Sequence, residues 1–394
     1  MKLLFLANRT PYPPYRGDKL KIYNLAKRLH KEHELHLLTF AQSEEDFGYR
    51  EQLEQVFSKV HLISLPKWRS ALNCTSALWE NVPMQVLYFK SAAMRKKLTE
   101  VLAADSFDAI HVQHLRMSPY LADNNELPRI LDMPDAFSLY WERREQAEKN
   151  PILKMFNGVE QKRLMSYERK MMAKYDMNLV CSREDLEYLK EKHGLPNINL
   201  LPNGVDLDTF KAGGHDYSHN HTILFTGNMD YAPNVDAVQY FVQEIFPSIK
   251  QAHSNVKFVI AGQRPIGKVE ALASDDVIVT GFVKDLAKVY NDASIVVAPL
   301  RFGAGTQNKV LEAMAMGVPV VCSQIGFKGI GVESGAGAVL RTDKDSFADE
   351  VNKLLADEAY RKSVGQKGIE VIQNNYSWDS IAKQLEDYFE SVSA

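Results

Sequence analysis

Short apolar runs alternate with amphipathic segments along the first half of the chain. Residues 3–7 form a continuous apolar run, which is typical of a buried parallel strand. After a proline-rich loop, Ile22, Leu25, Ala26 and Leu29 recur at the spacing of one helix face. The alternation continues with predicted strands at 34–40, 60–65, 109–112, 129–131 and 177–181, and predicted helices at 92–102 and 183–192.

The same alternation restarts after a polar stretch at 213–221. It predicts strands at 222–226, 257–261, 277–279, 295–298 and 318–322, and helices at 235–250, 286–291 and 309–316. This order favours an α/β fold with two doubly wound, Rossmann-like domains facing a central cleft, where ligands bind beyond the carboxyl ends of the strands.

The turn residues Pro202, Asn203 and Gly204 indicate a domain boundary near residue 205. We expect an N-terminal, acceptor-binding domain at 1–205 and a C-terminal domain, binding a nucleotide sugar, at 206–375. A last helix within 376–394 is expected to pack back toward the N-terminal domain.

Composition narrows the class of protein. The net charge of −3 argues against a nucleic-acid partner, and the three cysteines are too few and too scattered for a disulfide framework or a metal knuckle. A cytoplasmic location is expected. No apolar segment approaches the roughly 20 residues of a membrane-spanning helix, so any membrane contact would be peripheral, at the inner face of the membrane.

Residues 65–97 are the one candidate membrane surface in the sequence. They interleave Trp68, Trp79, Tyr88 and Phe89 with six lysine and arginine residues. Aromatic side chains next to cations suit an anionic interface. Core aromatics beside a solvated helix face explain the same pattern, and the sequence leaves both interpretations open.

Residues 298–321 carry the most informative pattern: a strand, a glycine-containing loop, a helix and a second strand. Gly303 and Gly305 let an anion approach backbone amides, and helix N-termini attract phosphate. Arg301 and Lys309 flank the loop, and a carboxylate at Glu312 can accept both hydroxyls of a ribose. An ordinary strand–loop–helix connection is the alternative. The spacing matches neither a Walker A loop nor a dehydrogenase fingerprint.

These and other motifs resemble glycosyltransferase family 4, whose fold is GT-B. Residues 309–321 resemble the nucleotide-binding signature, 202–206 the opening of the second domain, and 376–379 the segment before the last helix. Residues 11–19 and 225–234 are similar to a subgroup associated with exopolysaccharide and PEP-CTERM protein-sorting systems.

The resemblance implies a retaining, metal-independent glycosyltransferase. It would move a sugar from a UDP- or GDP-linked donor to a glycan or lipid-linked acceptor in bacterial surface polysaccharide synthesis, with no cofactor. It also implies roles for particular residues. The catalytic candidates are His114, Arg301 and Lys309, and the donor-binding candidates are Gly17, Gly303, Gly305, Thr306 and Glu312.

The acceptor-side candidates follow strand ends of the first domain. His114 lies one residue after Gln113, the closest positional match to a family histidine that assists the sugar, and Arg116 follows. Asp132 and Asp135 come after the next predicted strand and could face the acceptor. Helix capping and solvation are the alternative roles of the two aspartates.

Two departures from the family pattern keep other functions open. Ala304 stands where the family usually has a glutamate that contacts the transferred sugar, and residues 227–230 lack the usual cations. A non-catalytic member that binds the nucleotide or a partner is one alternative. A sugar-nucleotide epimerase of the same fold, which would need no acceptor, is the other.

Overall fold

The computed structural model describes residues 1–14, 17–124, 126–219, 221–303 and 307–393, with only the backbone described at residue 78. The chain divides into two compact units. Unit 1 comprises residues 1–203 and 378–394, and unit 2 comprises residues 204–377. Each unit has its own parallel sheet covered by helices, so the predicted α/β class with two Rossmann-like domains is confirmed.

The sheet of unit 1 has seven parallel strands in the order β3-β2-β1-β4-β5-β6-β7. The reversal of strand order beside β1 is the mark of a doubly wound sheet. Leu3–Ala7 is fully buried, as its apolar run predicts. The strands are β1 (Lys2–Ala7), β2 (Glu34–Ala41), β3 (Lys59–Ser64), β4 (Ala109–Gln113), β5 (Arg129–Met133), β6 (Met177–Val180) and β7 (Ile198–Leu200).

The helices of unit 1 fill the crossovers between these strands. They are α1 (Gly17–Leu29), α2 (Glu44–Gly48), α3 (Arg50–Glu54), α4 (Lys67–Cys74), α5 (Met84–Leu87), α6 (Ala92–Ala104), α7 (Phe137–Ala147), α8 (Pro151–Met172) and α9 (Arg183–His193), with short 3-10 turns at Thr75–Leu78 and Ser118–Tyr120. With 22 residues, α8 is the longest helix of the described chain. None of the helices described is both long and apolar enough to cross a membrane.

The sheet of unit 2 has six parallel strands in the order β10-β9-β8-β11-β12-β13. The central strands of this sheet carry almost only aliphatic side chains, which are fully buried. These strands therefore appear in the sequence as continuous apolar runs. The strands are β8 (Thr222–Thr226), β9 (Lys257–Ala261), β10 (Val277–Gly281), β11 (Ile295–Ala298), β12 (Val320–Cys322) and β13 (Ala338–Leu340).

The helices of unit 2 include one departure from the sequence prediction. The predicted helix at 235–250 is two α-helices joined by a π-helical turn at Phe241–Ile245. A proline at 247, which cannot donate a backbone hydrogen bond, follows this turn. The helices are α10 (Ala232–Tyr240), α11 (Phe246–Ala252), α12 (Gly267–Glu270), α13 (Leu286–Asn291), α14 (Asn308–Ala315), α15 (Gln324–Lys328), α16 (Lys344–Ala356) and α17 (Glu358–Asn375).

The last helix, α18 (Trp378–Ser393), belongs to unit 1. It packs against α1 and buries Trp378, Leu385 and Phe389 in the same cluster as the side chains of β1. Glu386 and the ring of His33 are 2.8 Å apart, which adds a polar contact at the edge of this cluster. The helix is therefore an integral part of the core of unit 1.

Candidate functional site

In unit 2, the helix α14 places Lys309 in a buried, mainly uncharged environment. Lys309 follows the loop after β11, and it is only 8% exposed. Nζ donates to Oδ1 of Asn234 at 2.8 Å and lies 4.8 Å from the centre of the Phe225 ring. Among the described residues, no carboxylate oxygen forms an ion pair with Lys309. Burial lowers the pKa of Lys309 to about 8, although the charge of Glu312 opposes this shift.

Glu312 lies one turn after Lys309 and is held by a buried tyrosine. The hydroxyl of Tyr290, on α13, donates to Oε2 of Glu312 at 2.8 Å and is 2.7 Å from the hydroxyl of Thr226. Oε1 of Glu312 has no hydrogen-bond partner within the described ranges. Burial raises the pKa of Glu312, and the Tyr290 hydrogen bond and the Lys309 charge oppose that rise. One carboxylate oxygen is thus fixed and the other can accept hydrogen bonds.

Arg301 follows β11 but is engaged with α10. Its Nε donates to Oδ2 of Asp236 at 2.8 Å, a second bond joins Nη2 to Oδ1, and the guanidinium lies 4.7 Å from the centre of the Tyr240 ring. The side chain is 53% exposed. The bond to Asp236 raises the pKa of Arg301. Arg301 therefore already has an anionic partner, unlike Lys309, and its predicted contact with a diphosphate stays a prediction.

The predicted glycine loop is described only at its first residue. Gly303 has φ 137°, a backbone conformation that favours glycine. Gly305 and Thr306, predicted to bind the donor, and Ala304, predicted to lack a sugar contact, lie outside the described residues. After α14, Gly317 has φ 78° and ends the helix, as the sequence predicts.

In unit 1, His114 follows the carboxyl end of β4 in a left-handed conformation, with φ 80°. Its ring stacks on Phe137 at 4.5 Å between centres, and its Nδ1 accepts a hydrogen bond from the backbone N–H of Arg116 at 3.3 Å. Burial and the charges of Arg116 and Arg9 lower the pKa of His114 well below its usual value. The imidazole is thus neutral and, because Nδ1 accepts, it carries its proton on Nε2.

Arg116 is held between two phenyl rings. Its guanidinium lies 5.4 Å from the centre of Phe89 and 5.8 Å from that of Phe137, and Nε donates to Oε1 of Gln85 at 3.1 Å. Burial and the charge of Arg9 lower the pKa of Arg116 to about 10. No carboxylate forms an ion pair with Arg116 in the described parts of the chain. This fixed cation can therefore meet an external acceptor of hydrogen bonds.

Asp132, at the end of β5, lies in a buried cluster. Oδ1 accepts a hydrogen bond from Nζ of Lys21 at 2.6 Å, and Oδ2 is 3.1 Å from Nε2 of His111. Burial favours a raised pKa, but Lys21 and His111 outweigh it and hold the pKa of Asp132 below its usual value. His111 itself is buried, with its ring 4.9 Å from that of Phe5. The cluster favours a positioning role for Asp132 over direct contact with an acceptor.

Asp135 is partly exposed and lies near other charged groups. Burial and the charge of Asp18 raise its pKa, while Arg116 and Lys21 oppose the rise. Asp185 is buried nearby, and burial together with Asp135 raises its pKa as well. Asp185 accepts hydrogen bonds from the Ser182 hydroxyl at 2.6 Å and from the backbone N–H of residue 136 at 3.2 Å. Asp185 thus binds the backbone N–H that directly precedes α7, and Ser182 is the residue that caps α9.

Gly17 is the first residue of α1 and is exposed. A Cβ placed there would meet no heavy atom within 4 Å, so the space over this helix start is open. The carboxylate of Asp18 lies 3.7 Å from Nη1 of Arg9. The backbone oxygen of Asp18 accepts a hydrogen bond from Nε2 of Gln113 at 2.5 Å. Asp18, the acidic residue beside Gly17, is thus paired with Arg9.

Sequence reasoning missed the residues that hold the candidates in place. Tyr290 and Lys21 lie in helices outside the motifs, and Asn234, the last residue of the segment 225–234, had no role assigned to it. Tyr290 and Asn234 meet α14 only through the packing of unit 2, at separations of 22 and 75 residues from their partners. A signal existed for Lys21 alone, since a lysine on the buried face of an amphipathic helix needs a partner.

Two families match the chain. Residues 22–209 match the family described as Glycosyltransferase Family 4, and residues 220–357 match Glycosyl transferases group 1. Within the described ranges, no group of three or more His, Cys, Asp or Glu side chains is placed to hold a metal ion.

Relatives and solved structures extend the likeness over the whole chain. The chain is 24% identical to an uncharacterized 44.6 kDa protein in the cps region of Klebsiella pneumoniae, covering 95% of this chain and 96% of that protein. It is 24% identical to the capsular polysaccharide biosynthesis glycosyltransferase CapM of Staphylococcus aureus, over 48% of this chain and 52% of CapM. The fold is similar to that of Anabaena HepE in complex with UDP, with a TM-score of 0.73, 16% identity and coverage of 99% and 100%.

Proposed function

Since the chain belongs to the glycosyltransferases of family 4 and has the GT-B fold, we propose that it is a retaining enzyme that uses a UDP- or GDP-linked sugar. Its acceptor is a glycan or a lipid-linked glycan of bacterial surface polysaccharide synthesis. CapM, by its name, acts in capsular polysaccharide biosynthesis, and HepE binds UDP. The observation that carries the proposal is the buried Lys309 without a carboxylate partner.

The donor's diphosphate is the anion that Lys309 lacks. A buried ammonium group that has only amide partners is costly, and a bound phosphate removes that cost. Lys309 then keeps its proton, because a negative neighbour raises the lysine pKa above its value of about 8. Oε1 of Glu312 accepts the ribose hydroxyls of the same nucleotide.

The chemical step breaks the bond between the anomeric carbon and the donor's phosphate oxygen. The acceptor oxygen bonds to the anomeric carbon from the face that the phosphate leaves, so the configuration is retained. The leaving phosphate oxygen takes the acceptor's proton, which balances the reaction without a protein base. Lys309 stabilises the charge that develops on the diphosphate, in a site with little water. No metal ion and no cofactor takes part.

Unit 1 supplies groups for the transferred sugar and the acceptor. The neutral His114 donates a hydrogen bond from Nε2 to a sugar hydroxyl. Arg116 and Asp135 contact acceptor oxygens, and Asp132 positions Lys21 and His111. The enzyme works in the cytoplasm, at the inner face of the membrane when its acceptor is lipid-linked.

Two observations favour a second function, that of a non-catalytic nucleotide-binding protein. Ala304 replaces the family's usual sugar-contacting glutamate. Arg301, predicted to be catalytic, is already paired with Asp236. Such a protein would bind UDP or GDP tightly and release no nucleotide from any donor. An epimerase, in contrast, would turn over the donor without an acceptor.

Turnover with defined donors separates these functions. The purified chain is incubated with a panel of UDP- and GDP-sugars, with and without bacterial lipid extract, and free nucleotide and labelled product are measured. The proposal expects release that depends on extract, is insensitive to EDTA, and is lost in Lys309→Met. Tight nucleotide binding without turnover would establish the non-catalytic alternative, and conversion of a donor into its epimer without extract and without net release of nucleotide would establish the epimerase. NMR of the product's anomeric configuration tests retention.

A further inference from the structure

Large apolar side chains are exposed mainly in two segments of unit 1. In residues 68–79, Trp68, Leu72 and Trp79 are 67%, 60% and 72% exposed. In residues 152–159, at the start of α8, Ile152 and Met155 are 72% and 69% exposed. We call the exposed apolar side chains of these two segments the apolar surface. It holds eight of the thirteen strongly exposed large apolar side chains in the described chain.

The start of α8 is a well-formed helix whose apolar side chains are largely exposed, although the ring of Phe156 lies 6.1 Å from that of Trp141 on α7. Asn150 caps it, since its Oδ1 accepts from the backbone N–H groups of residues 152 and 153 at 3.0 and 3.3 Å. At about 100° per residue, the apolar side chains of 152–159 span an arc of about 160° on the helix. Leu164 and Met171, further along, are buried in the core of unit 1. Core packing therefore explains the second half of α8 but not the first.

Hydrogen bonds join the two segments into one surface. Nη2 of Arg163, on α8, donates to the backbone oxygen of Ala77 at 2.8 Å, and Oε2 of Glu160 accepts from the backbone N–H of Met84 at 3.0 Å. Arg163 and Glu160 also bond to each other at 2.9 Å. These contacts fix α8 beside the segment that contains Trp79, so the two segments with exposed apolar side chains are neighbours in unit 1.

The charges in the tryptophan-containing segment are mainly positive, whereas Glu145 and Glu148 precede the start of α8. Residues 65–97 contain six cations and one acid, Glu80, which is paired with Lys90 at 3.2 Å. Lys67, Arg69 and Lys154 are exposed next to the apolar side chains. The whole chain, in contrast, carries a net charge of −3. A local excess of cations beside exposed tryptophans is complementary to anionic lipid headgroups.

We propose that the apolar surface binds the anionic face of a lipid bilayer, with the start of α8 lying in the headgroup region. The exposed arc of α8 and the tryptophans of 68–79 enter the boundary of the acyl chains, and the flanking lysine and arginine side chains contact lipid phosphates. The start of α8 is thus a lipid-contacting element outside the segment that the sequence indicates. The proposal rests on the proposed function only in that a lipid-linked acceptor brings the enzyme to a membrane.

Vesicle flotation of the full chain, without nucleotide sugar, tests this proposal. Vesicles of phosphatidylcholine are compared with vesicles of phosphatidylcholine and phosphatidylglycerol, at low and high salt. We expect binding to the anionic vesicles that is at least about tenfold stronger than to neutral vesicles and that weakens with salt. Ile152→Ser with Met155→Ser should lower this binding at least about tenfold.

A matched control keeps the test specific. Ile278→Ser with Phe282→Ser removes two exposed apolar side chains of unit 2, which are 45% and 65% exposed, and should leave vesicle binding unchanged. Equal vesicle binding by the wild type and the α8 variant would overturn the proposal. The proposal would also be overturned if the wild type did not bind anionic vesicles and instead formed a dimer that is absent in the α8 variant. Donor turnover with a soluble acceptor is measured separately, so a failure here and a failure of the proposed function are distinguishable.

Discussion

Two buried lysines, one in each unit, are held in opposite ways. Lys21 in unit 1 is 2% exposed and donates to Oδ1 of Asp132 at 2.6 Å. Lys309 in unit 2 is 8% exposed, and its partners are amide oxygens of Asn234 and, at 3.5 Å, Gln307. Lys21 thus completes an ion pair within its own unit, whereas Lys309 forms none with a described carboxylate and its charge is only partly offset by that of nearby Glu312.

This difference indicates that Lys21 has a structural role and that Lys309 is available to bind a ligand. A buried ion pair becomes costly when one partner is removed, because the other charge is left uncompensated. A buried cation without a counter-ion already carries that cost in the free protein, and an external anion can remove it. Burial alone therefore does not distinguish a structural lysine from a binding lysine. The nature of the partner does.

The largest expected effect is on stability, from Lys21→Met. This change leaves the carboxylate of Asp132 buried without its cation and should lower the free energy of unfolding by about 3 kcal/mol. Denaturant unfolding measures the effect. Affinity for UDP or GDP, measured on the folded fraction, should stay unchanged. An unfolding free energy equal to that of the wild type would show that Asp132 is compensated in another way.

Lys309→Met should have the opposite profile. The variant should bind UDP and GDP about 100-fold more weakly, because a buried, charge-assisted contact with phosphate is lost. Its free energy of unfolding should change by no more than about 1 kcal/mol, since the ammonium that is removed had only amide partners. Calorimetric titration and denaturant unfolding measure the two quantities. A large loss of stability with unchanged affinity would reverse the comparison of the two lysines.

Glu312→Gln should weaken nucleotide binding about tenfold. The amide oxygen can still accept from Tyr290, but the carboxylate that receives the ribose hydroxyls is gone. The affinity for inorganic diphosphate, which has no ribose, should stay close to that of the wild type. If both affinities fall equally, Glu312 acts on the phosphates or on the fold of α14.

Tyr290→Phe should have the smallest effect, about fivefold on nucleotide affinity near neutral pH. The Tyr290 hydrogen bond opposes the rise of the Glu312 pKa, so its loss raises that pKa further. More of Glu312 is then protonated on the acidic side, and the affinity of the variant should fall more steeply than that of the wild type as the pH is lowered. Parallel pH profiles of the two proteins would argue against this coupling.

Local patterns predicted the sheets well because buried parallel strands are continuous apolar runs. The run at 3–7 lies within β1 (Lys2–Ala7), and that at 295–298 coincides with β11. The helix α8 escaped prediction because its first turns carry exposed apolar side chains, which blurs the periodicity. The long helix predicted at 235–250 contains a π-helical turn that no periodicity records.

The candidate site was predictable only where a motif spans consecutive residues. Lys309 and Glu312 share one helix, so their proximity follows from their spacing. The contacts of Tyr290 and Asn234 with them depend on the packing of two other helices, α13 and α10. The engagement of Arg301 by Asp236, 65 residues earlier, was invisible for the same reason. Sequence thus identifies the charged groups, and tertiary packing decides which of them already have partners.

The most direct test of whether Lys309 binds the donor's diphosphate is the pKa of Lys309, measured by NMR with isotope-labelled lysine and assigned with Lys309→Arg. We expect a pKa of about 8 in the free protein and a clear rise when UDP or GDP binds. The chemical shifts of the Lys21 side chain, in the same spectra, should not respond to the nucleotide. An ordinary lysine pKa at position 309, or one that UDP and GDP leave unchanged, would contradict the claim that Lys309 binds the donor's diphosphate.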